Sequence, residues 1–216
     1  MTGAGRNVGR AIAAAFVGDG ANVVVAEFDE ERGRQTEQEC NAVRPGSARF
    51  IPCNVASPED VRRMVASAVG AFGGIDILVN NVAITDRGRT VLDLEEDEWD
   101  RVFAVTLRSA FLCSKYVARQ MVTQERGGSI VNIGSTSAHR ARANALAYPV
   151  AKAGVLSLTR SLAVHLAPYR IRVNSVTPNK VGSPVGQDAE PPDRGRSNLV
   201  DRPAVPGDIA AAVEFL

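Results

Sequence analysis

Five stretches of the chain, ANVVVAE (21–27), ARFIPC (48–53), IDILVNN (75–81), GSIVNIGS (128–135) and RIRVNSVTP (170–178), are apolar almost without interruption. A strand with one wet face alternates apolar and polar residues, so runs like these belong to strands covered on both sides. Helical patterns lie between them, near 9–18, 30–42, 58–72, 97–123 and 149–167. Strand, helix, strand repeated in this way specifies an α/β fold, a doubly wound parallel sheet with right-handed crossovers and helices on both faces. At 216 residues the chain suits one domain, 1–216, better than two. Only 179–206 breaks the rhythm. It is rich in Pro, Gly and charge, precedes the short helical pattern PGDIAAAVEFL, and reads as a lid loop.

Composition narrows the function classes. A formal net charge of +1 provides no field to draw the chain to nucleic acid or to an anionic membrane. Cys40, Cys53 and Cys113 are odd in number and widely spaced, the pattern of reduced, buried thiols rather than of a disulfide framework or a metal site. No metal is expected. No apolar run reaches the roughly 20 residues of a membrane span, and the N-terminus lacks the order of a signal peptide. The expected location is the cytoplasm, and the expected partner is a small molecule.

The chain opens on TGAGRNVGRAIA (2–13). Gly3, Gly5 and Gly9 suit a tight turn, a close backbone approach to a pyrophosphate, and close packing of the following helix, whose N-terminal amides would face the anion. The next strand ends in Glu27, about 20 residues on, where a carboxylate accepts hydrogen bonds from an adenosine ribose diol. A phosphate on that ribose would be repelled by Glu27 and by Asp29, which favours NAD over NADP. Arg6, a cation inside the turn, pulls the other way.

Tyr148 and Lys152 in YPVAK stand at i and i+4, on one helix face and about 6 Å apart. Pro149 puts Tyr148 at the leading end of that helix. An ammonium one turn away is expected to lower the phenol's pKa toward use as an acid or base. Ser135 ends a buried strand at the carboxyl edge of the sheet, where open α/β folds bind ligands. A hydroxyl there can hold a carbonyl oxygen while the phenol moves the proton.

Taken in order, TGAGRNVG, NNVA (80–83), NIGS ending at Ser135, YPVAK and VNSVTP resemble the motifs of the short-chain dehydrogenase/reductase family, over essentially the whole chain. The resemblance implies a Rossmann-type fold, hydride exchange between NAD(H) and a secondary alcohol or ketone, and a homodimer or homotetramer. It implies Tyr148 as general acid/base, Lys152 on the nicotinamide ribose, Ser135 on the substrate oxygen, and Thr106 at the place of a catalytic asparagine. It also implies a cofactor site made by Gly3, Gly5, Arg6, Asn7, Val8, Gly9, Glu27, Asn54, Val55, Asn81, Val82, Ala83, Tyr148, Lys152, Pro178, Val181 and Ser183.

Several of these positions depart from the family pattern. Asn7 stands for a middle glycine, in a left-handed turn that Asn tolerates next best. Asn54 replaces an aspartate that meets the adenine amino group, Val82 and Ala83 replace Ala-Gly, and Asn179 replaces a glycine. Thr106 keeps its carbonyl available to a water, and its hydroxyl is expected to bond back to the preceding turn. A noncatalytic dinucleotide-binding or scaffolding protein of the same fold is the alternative these changes leave. The resemblance further implies a central strand before Thr2 and a last strand after Leu216, so both are expected to be missing from a chain truncated at both ends, with Met1 a misplaced start. His139, Arg140 and Arg142 read as a solvated loop, with the mouth of an anionic substrate's site as the alternative. His165 reads as a packed or capping side chain, and Trp99 as an anchor at a helix entry.

Overall fold

The computed structural model describes residues 1–179, 181, 202 and 204–216. In chain order its main elements are α1 (Asn7–Gly18), β1 (Val23–Glu27), α2 (Glu30–Val43), β2 (Ala48–Pro52), α3 (Pro58–Phe72), β3 (Ile77–Asn80), α4 (Glu96–Phe103), α5 (Ser109–Gln124), β4 (Gly128–Ile133), α6 (Ala147–Leu166), β5 (Ile171–Val176) and α7 (Pro206–Phe215). A π-helical turn, Ala104–Arg108, joins α4 to α5. The expected single helix over 97–123 is therefore broken in its middle. The lid expected over 179–206 lies almost wholly outside the described residues.

Local chemistry sets the helix ends. The Ser57 hydroxyl accepts from the Asp60 N–H at 3.2 Å, Pro58 supplies a preset φ in the first turn, and α3 stops at Gly73 with φ 76°, a conformation that costs glycine little. Asp29 caps α2 in the same way, accepting from the Arg32 N–H at 3.1 Å. Trp99 stacks on Phe103 at 4.5 Å in α4, whose first turn carries Glu96, Asp97 and Glu98, the acids expected at the positive end of a helix.

All strand pairs are parallel, and the ladders form two groups, β1 with β2 and β3 with β4 with β5. Successive residues of each strand serve opposite faces. Leu78 and Ile130 pack under α3 and α5 with Val61, Met64, Leu112 and Val117, while Val79 and Val131 pack under α1 and α7 with Ile12, Ile209 and Val213. Both faces of the sheet are therefore dry, which is why the strand sequences are apolar without alternation.

Among the described residues, 1–3 stand between β1 and β3, where a central strand was expected to be missing. Thr2 bridges to Ala26 in parallel. Its N–H donates to the Val79 carbonyl at 3.1 Å, while the Ala26 N–H donates to the Met1 carbonyl at 3.0 Å and the Gly3 N–H to the Ala26 carbonyl at 2.8 Å. Below this seam a cavity of about 240 Å3 runs between Val23 and Val24 on one side and Ile77, Leu78 and Val79 on the other.

A buried amide relay ties the three-stranded group to its helices. Asn80 Nδ2 donates to Asn132 Oδ1 at 2.8 Å and to Ser114 Oγ at 3.0 Å, and Asn132 Nδ2 donates to Thr159 Oγ1 at 2.9 Å. Asn132 is 0% exposed, so each lost partner leaves a polar atom with no water to replace it. Asn132→Val should lower the unfolding free energy by about 2 to 4 kcal/mol, measured by urea denaturation. A loss below about 0.5 kcal/mol, the range of ordinary surface changes, would show that the relay holds nothing together.

Candidate active site

The carboxyl ends of the strands open on one cleft of about 1110 Å3. Its wall runs from Gly3 and Asn7–Gly9, past Glu27 and Asn54–Ala56, along Asn81–Thr85, to Ser135, Tyr148, Lys152 and Pro178. The structure thus brings together residues that are far apart in sequence, and with them Arg6, Asn179 and Val181. Ser183 lies outside the described residues.

The first end of the cleft is the glycine turn. Gly3 has φ 61° and Asn7 φ 49°, so Asn7 adopts the left-handed backbone its type tolerates. Helix α1 begins there with no side-chain cap and no acid in its first turn, which leaves its N-terminal amides oriented toward an anion. A Cβ on Gly9 would run into the Gly3 carbonyl oxygen, and one on Gly3 would meet Val82 Cγ2 at 2.9 Å. Asn81 clamps the turn, donating from Nδ2 to the carbonyls of Thr2 at 3.3 Å and Gly3 at 3.0 Å. Gly5 is buried, does not line the cleft, and gives its N–H to Glu27 Oε2 at 2.9 Å, while Glu27 Oε1 accepts from the N–H groups of Phe28 and Asp29 at 2.8 and 3.2 Å. These contacts hold the Glu27 carboxylate at the rim beside Phe28 and Arg32. Asn54 Oδ1 accepts from the Ala56 N–H at 3.1 Å, which leaves one lone pair for a ligand. A dinucleotide fits this end: a turn packed too tightly for a Cβ at Gly3 or Gly9, a helix N-terminus for phosphates, and a fixed carboxylate for a diol.

At the other end Tyr148 occupies the second position of α6, buried, with Ser135 near enough to act on its phenol; the Ser135 hydroxyl itself donates to Ser137 Oγ and accepts from the Ser137 N–H, both at 3.1 Å. Lys152 Nζ lies 5.9 Å from the Tyr148 ring centroid and donates to the Ile133 carbonyl at 2.6 Å. Burial lowers the lysine's pKa from 10.5 to about 8. The phenol is not brought down by that neighbour as the spacing suggested. Burial pushes Tyr148 up, and the opposing influences are the Ser135 hydrogen bond and the Arg142 charge. Dehydration of the phenolate outweighs both.

Two residues that hold this end were not read from the sequence as such. Asp86 is wholly buried, and its carboxylate accepts from the N–H groups of Leu146, Ala147 and Tyr148 at 2.7, 2.7 and 3.0 Å. It caps α6 from about sixty positions away, beyond the reach of any local capping pattern. Thr106 is buried in the π-helical turn and does not touch the cleft. Its hydroxyl does not bond back along the helix; it donates to the Ile84 carbonyl and accepts from the Ile84 N–H, both at 3.2 Å. Thr106 therefore positions the cleft wall after β3. His139 and His165 are exposed, so His165 is not packed, though it sits in the last turn of α6, where a cation suits the helix dipole.

With this geometry in view, the comparisons with known proteins are direct. A family model described as Enoyl-(Acyl carrier protein) reductase matches residues 3–216. The chain is 36% identical over 223 residues to the short chain dehydrogenase/reductase astE of Aspergillus oryzae, covering 100% of this chain and 85% of that protein. It is 38% identical over 190 residues to the trans-4-hydroxycyclohexanecarboxylate dehydrogenase of Sinomonas cyclohexanicum, covering 86% of this chain and 72% of that protein. Among solved structures, an NAD+-bound xylitol dehydrogenase superposes with a TM-score of 0.89 at 31% identity, covering 100% of this chain and 89% of that one. The chain belongs to the short-chain dehydrogenase/reductase family, a family of oxidoreductases.

The buried Lys152 gives a pH test. The folded state releases the lysine proton near pH 8 and the unfolded state near 10.5, so burial destabilises the fold below about pH 8, and the penalty fades as pH rises through that window. The stability of the parent relative to Lys152→Met should rise by about 3 kcal/mol between about pH 7.5 and 10.5, followed by urea denaturation at each pH. A difference that stays flat would mean that Lys152 titrates normally in the fold.

Proposed function

We propose that this chain is an NAD-dependent oxidoreductase acting on a secondary alcohol or its ketone. The observation that carries the reading is the joining, in one cleft, of the glycine turn and Glu27 to Ser135, Tyr148 and Lys152. Gly3, Val8 and Gly9 would hold the pyrophosphate, Glu27 the adenosine ribose, and Lys152 the nicotinamide ribose. The bound nicotinamide supplies the hydride donor or acceptor. Ser135 holds the substrate oxygen and Tyr148 takes or gives the proton at that oxygen. A diol from a bound ribose would bring oxygen atoms to Lys152 and expel water from beside the phenol. The NAD+-bound xylitol dehydrogenase neighbour and the cyclic hydroxy acid in the name of one relative support an alcohol as substrate. A cytoplasmic homo-oligomer is part of the same reading.

For the cofactor, Glu27 repels a ribose phosphate while Arg6 and Arg32 line the same end, and the reading rests on the carboxylate. Tyr148→Phe should abolish dinucleotide reduction with a panel of alcohols while sparing NAD affinity, and Glu27→Ala should shrink a parent preference for NAD over NADP. Reduced-nicotinamide absorbance and titration calorimetry check the two. An active phenylalanine variant overturns the proton role of Tyr148. A parent that binds dinucleotide but reduces it with no alcohol turns the reading to the noncatalytic alternative.

A further inference from the structure

The charges along the cleft are unevenly distributed. Its carboxylates, Glu27 and Asp29, both lie at the ribose end, whereas Arg87, Arg101 and Arg142 line the part beyond Thr85 and beside Tyr148. Among the described residues no ion pair joins these three arginines to a carboxylate; the neighbouring Arg89 pairs with Glu98 at 3.2 Å. Arg87 and Arg142 come from two loops stitched together under Tyr148. The Gly88 N–H donates to the Asn144 carbonyl at 2.8 Å, Asp86 holds the amides of residues 146–148, and a bridge from Arg142 to Ala145 closes a tight turn. Both guanidinium stems therefore rise from fixed backbone beside the acid/base. Arg142 is close enough to draw the phenol's pKa down.

We propose that this end of the cleft is an oxyanion site, and that the alcohol or ketone carries a carboxylate seated on Arg142 and Arg87. The proposal rests on the oxidoreductase reading for the reacting end of that molecule. Guanidinium forks match a planar carboxylate in two hydrogen bonds. The other anion receptor nearby, the N-terminus of α6, is already filled by Asp86, so a ligand's charge must be met by side chains. Among the described residues no ion pair neutralises these three cations, so they repel one another, and an anionic ligand weakens that repulsion as it binds. A neutral alcohol would leave it in place.

The test is titration calorimetry of cyclohexanecarboxylate, cyclohexanecarboxamide and cyclohexyl phosphate into the protein saturated with NAD, with parent and variants first matched by thermal melting. The carboxylate should bind at least roughly tenfold more tightly than the carboxamide, about 1.4 kcal/mol, and more weakly as salt is raised. That ratio should fall toward unity in Arg142→Gln and in Arg87→Gln, and recover in part in Arg142→Lys. Equal binding of carboxylate and carboxamide, or a ratio untouched by both glutamine variants, overturns the proposal. Tighter binding of the phosphate ester overturns its choice of a carboxylate. The readout does not depend on turnover. A protein that binds carboxylates in this way but oxidises no hydroxy acid upholds the site and refutes the oxidoreductase reading. One that oxidises neutral alcohols while binding carboxylate no better than carboxamide does the reverse.

Discussion

The whole molecule depends on what Thr2 holds. Its N–H and its hydroxyl both donate to the Val79 carbonyl at 3.1 Å, the hydroxyl accepts from the Asn81 N–H at 3.1 Å, and its backbone bridges to Ala26 on the other side. Two groups of parallel strands are joined across Thr2 and its neighbours Met1 and Gly3, which bond to Val24 and Ala26. The same residue leads into the glycine turn, so the contact that joins the sheet also fixes where the cleft begins. Asn81 extends the joint by holding the carbonyls of Thr2 and Gly3. Parallel strands are held in register by such ladders, and here Met1 and Gly3 bond to the β1 side while Thr2 bonds to the β3 side.

The reacting end is built on a different principle, burial. Tyr148 and Lys152 are both removed from water, and the fold gives them few partners, a serine for the phenol and a carbonyl for the ammonium. Such groups strain toward neutrality, the phenol upward and the lysine downward. The two titrations move apart, the phenol staying protonated while the lysine comes down to about 8, and at neutral pH it is the buried ammonium that costs stability. Asp86 keeps the arrangement rigid by filling the amides of α6, so that the phenol's position does not depend on a ligand.

Much of this was legible in the sequence, for reasons that are local. The five strands could be read because burial on both faces leaves no alternation, and the observed strands fall inside the expected runs. Tyr148 and Lys152 could be paired because a helix fixes the geometry of i and i+4, and the start of that helix was set by Pro149. Asn7 was expected in a left-handed turn and adopts one. What could not be read is what depends on contacts between distant segments. Asp86 caps a helix sixty positions later, Thr106 reaches across to Ile84 rather than back along its own helix, and the sign of the Tyr148 shift depends on how much water the fold excludes. The π-helical turn left no mark on the apolar pattern, because inserting one residue into a helix moves a face without changing its composition.

The central claim is that Ser135, Tyr148 and the glycine turn serve one reaction, in which a hydrogen passes directly between an alcohol carbon and a bound nicotinamide. The most direct measurement uses an alcohol deuterated at its carbinol carbon, oxidised with NAD, with the reduced dinucleotide analysed by mass spectrometry. The account predicts one deuterium in each reduced nicotinamide and none lost to water. Reduced dinucleotide free of the label, or no reduction with any alcohol despite tight NAD binding, would contradict it.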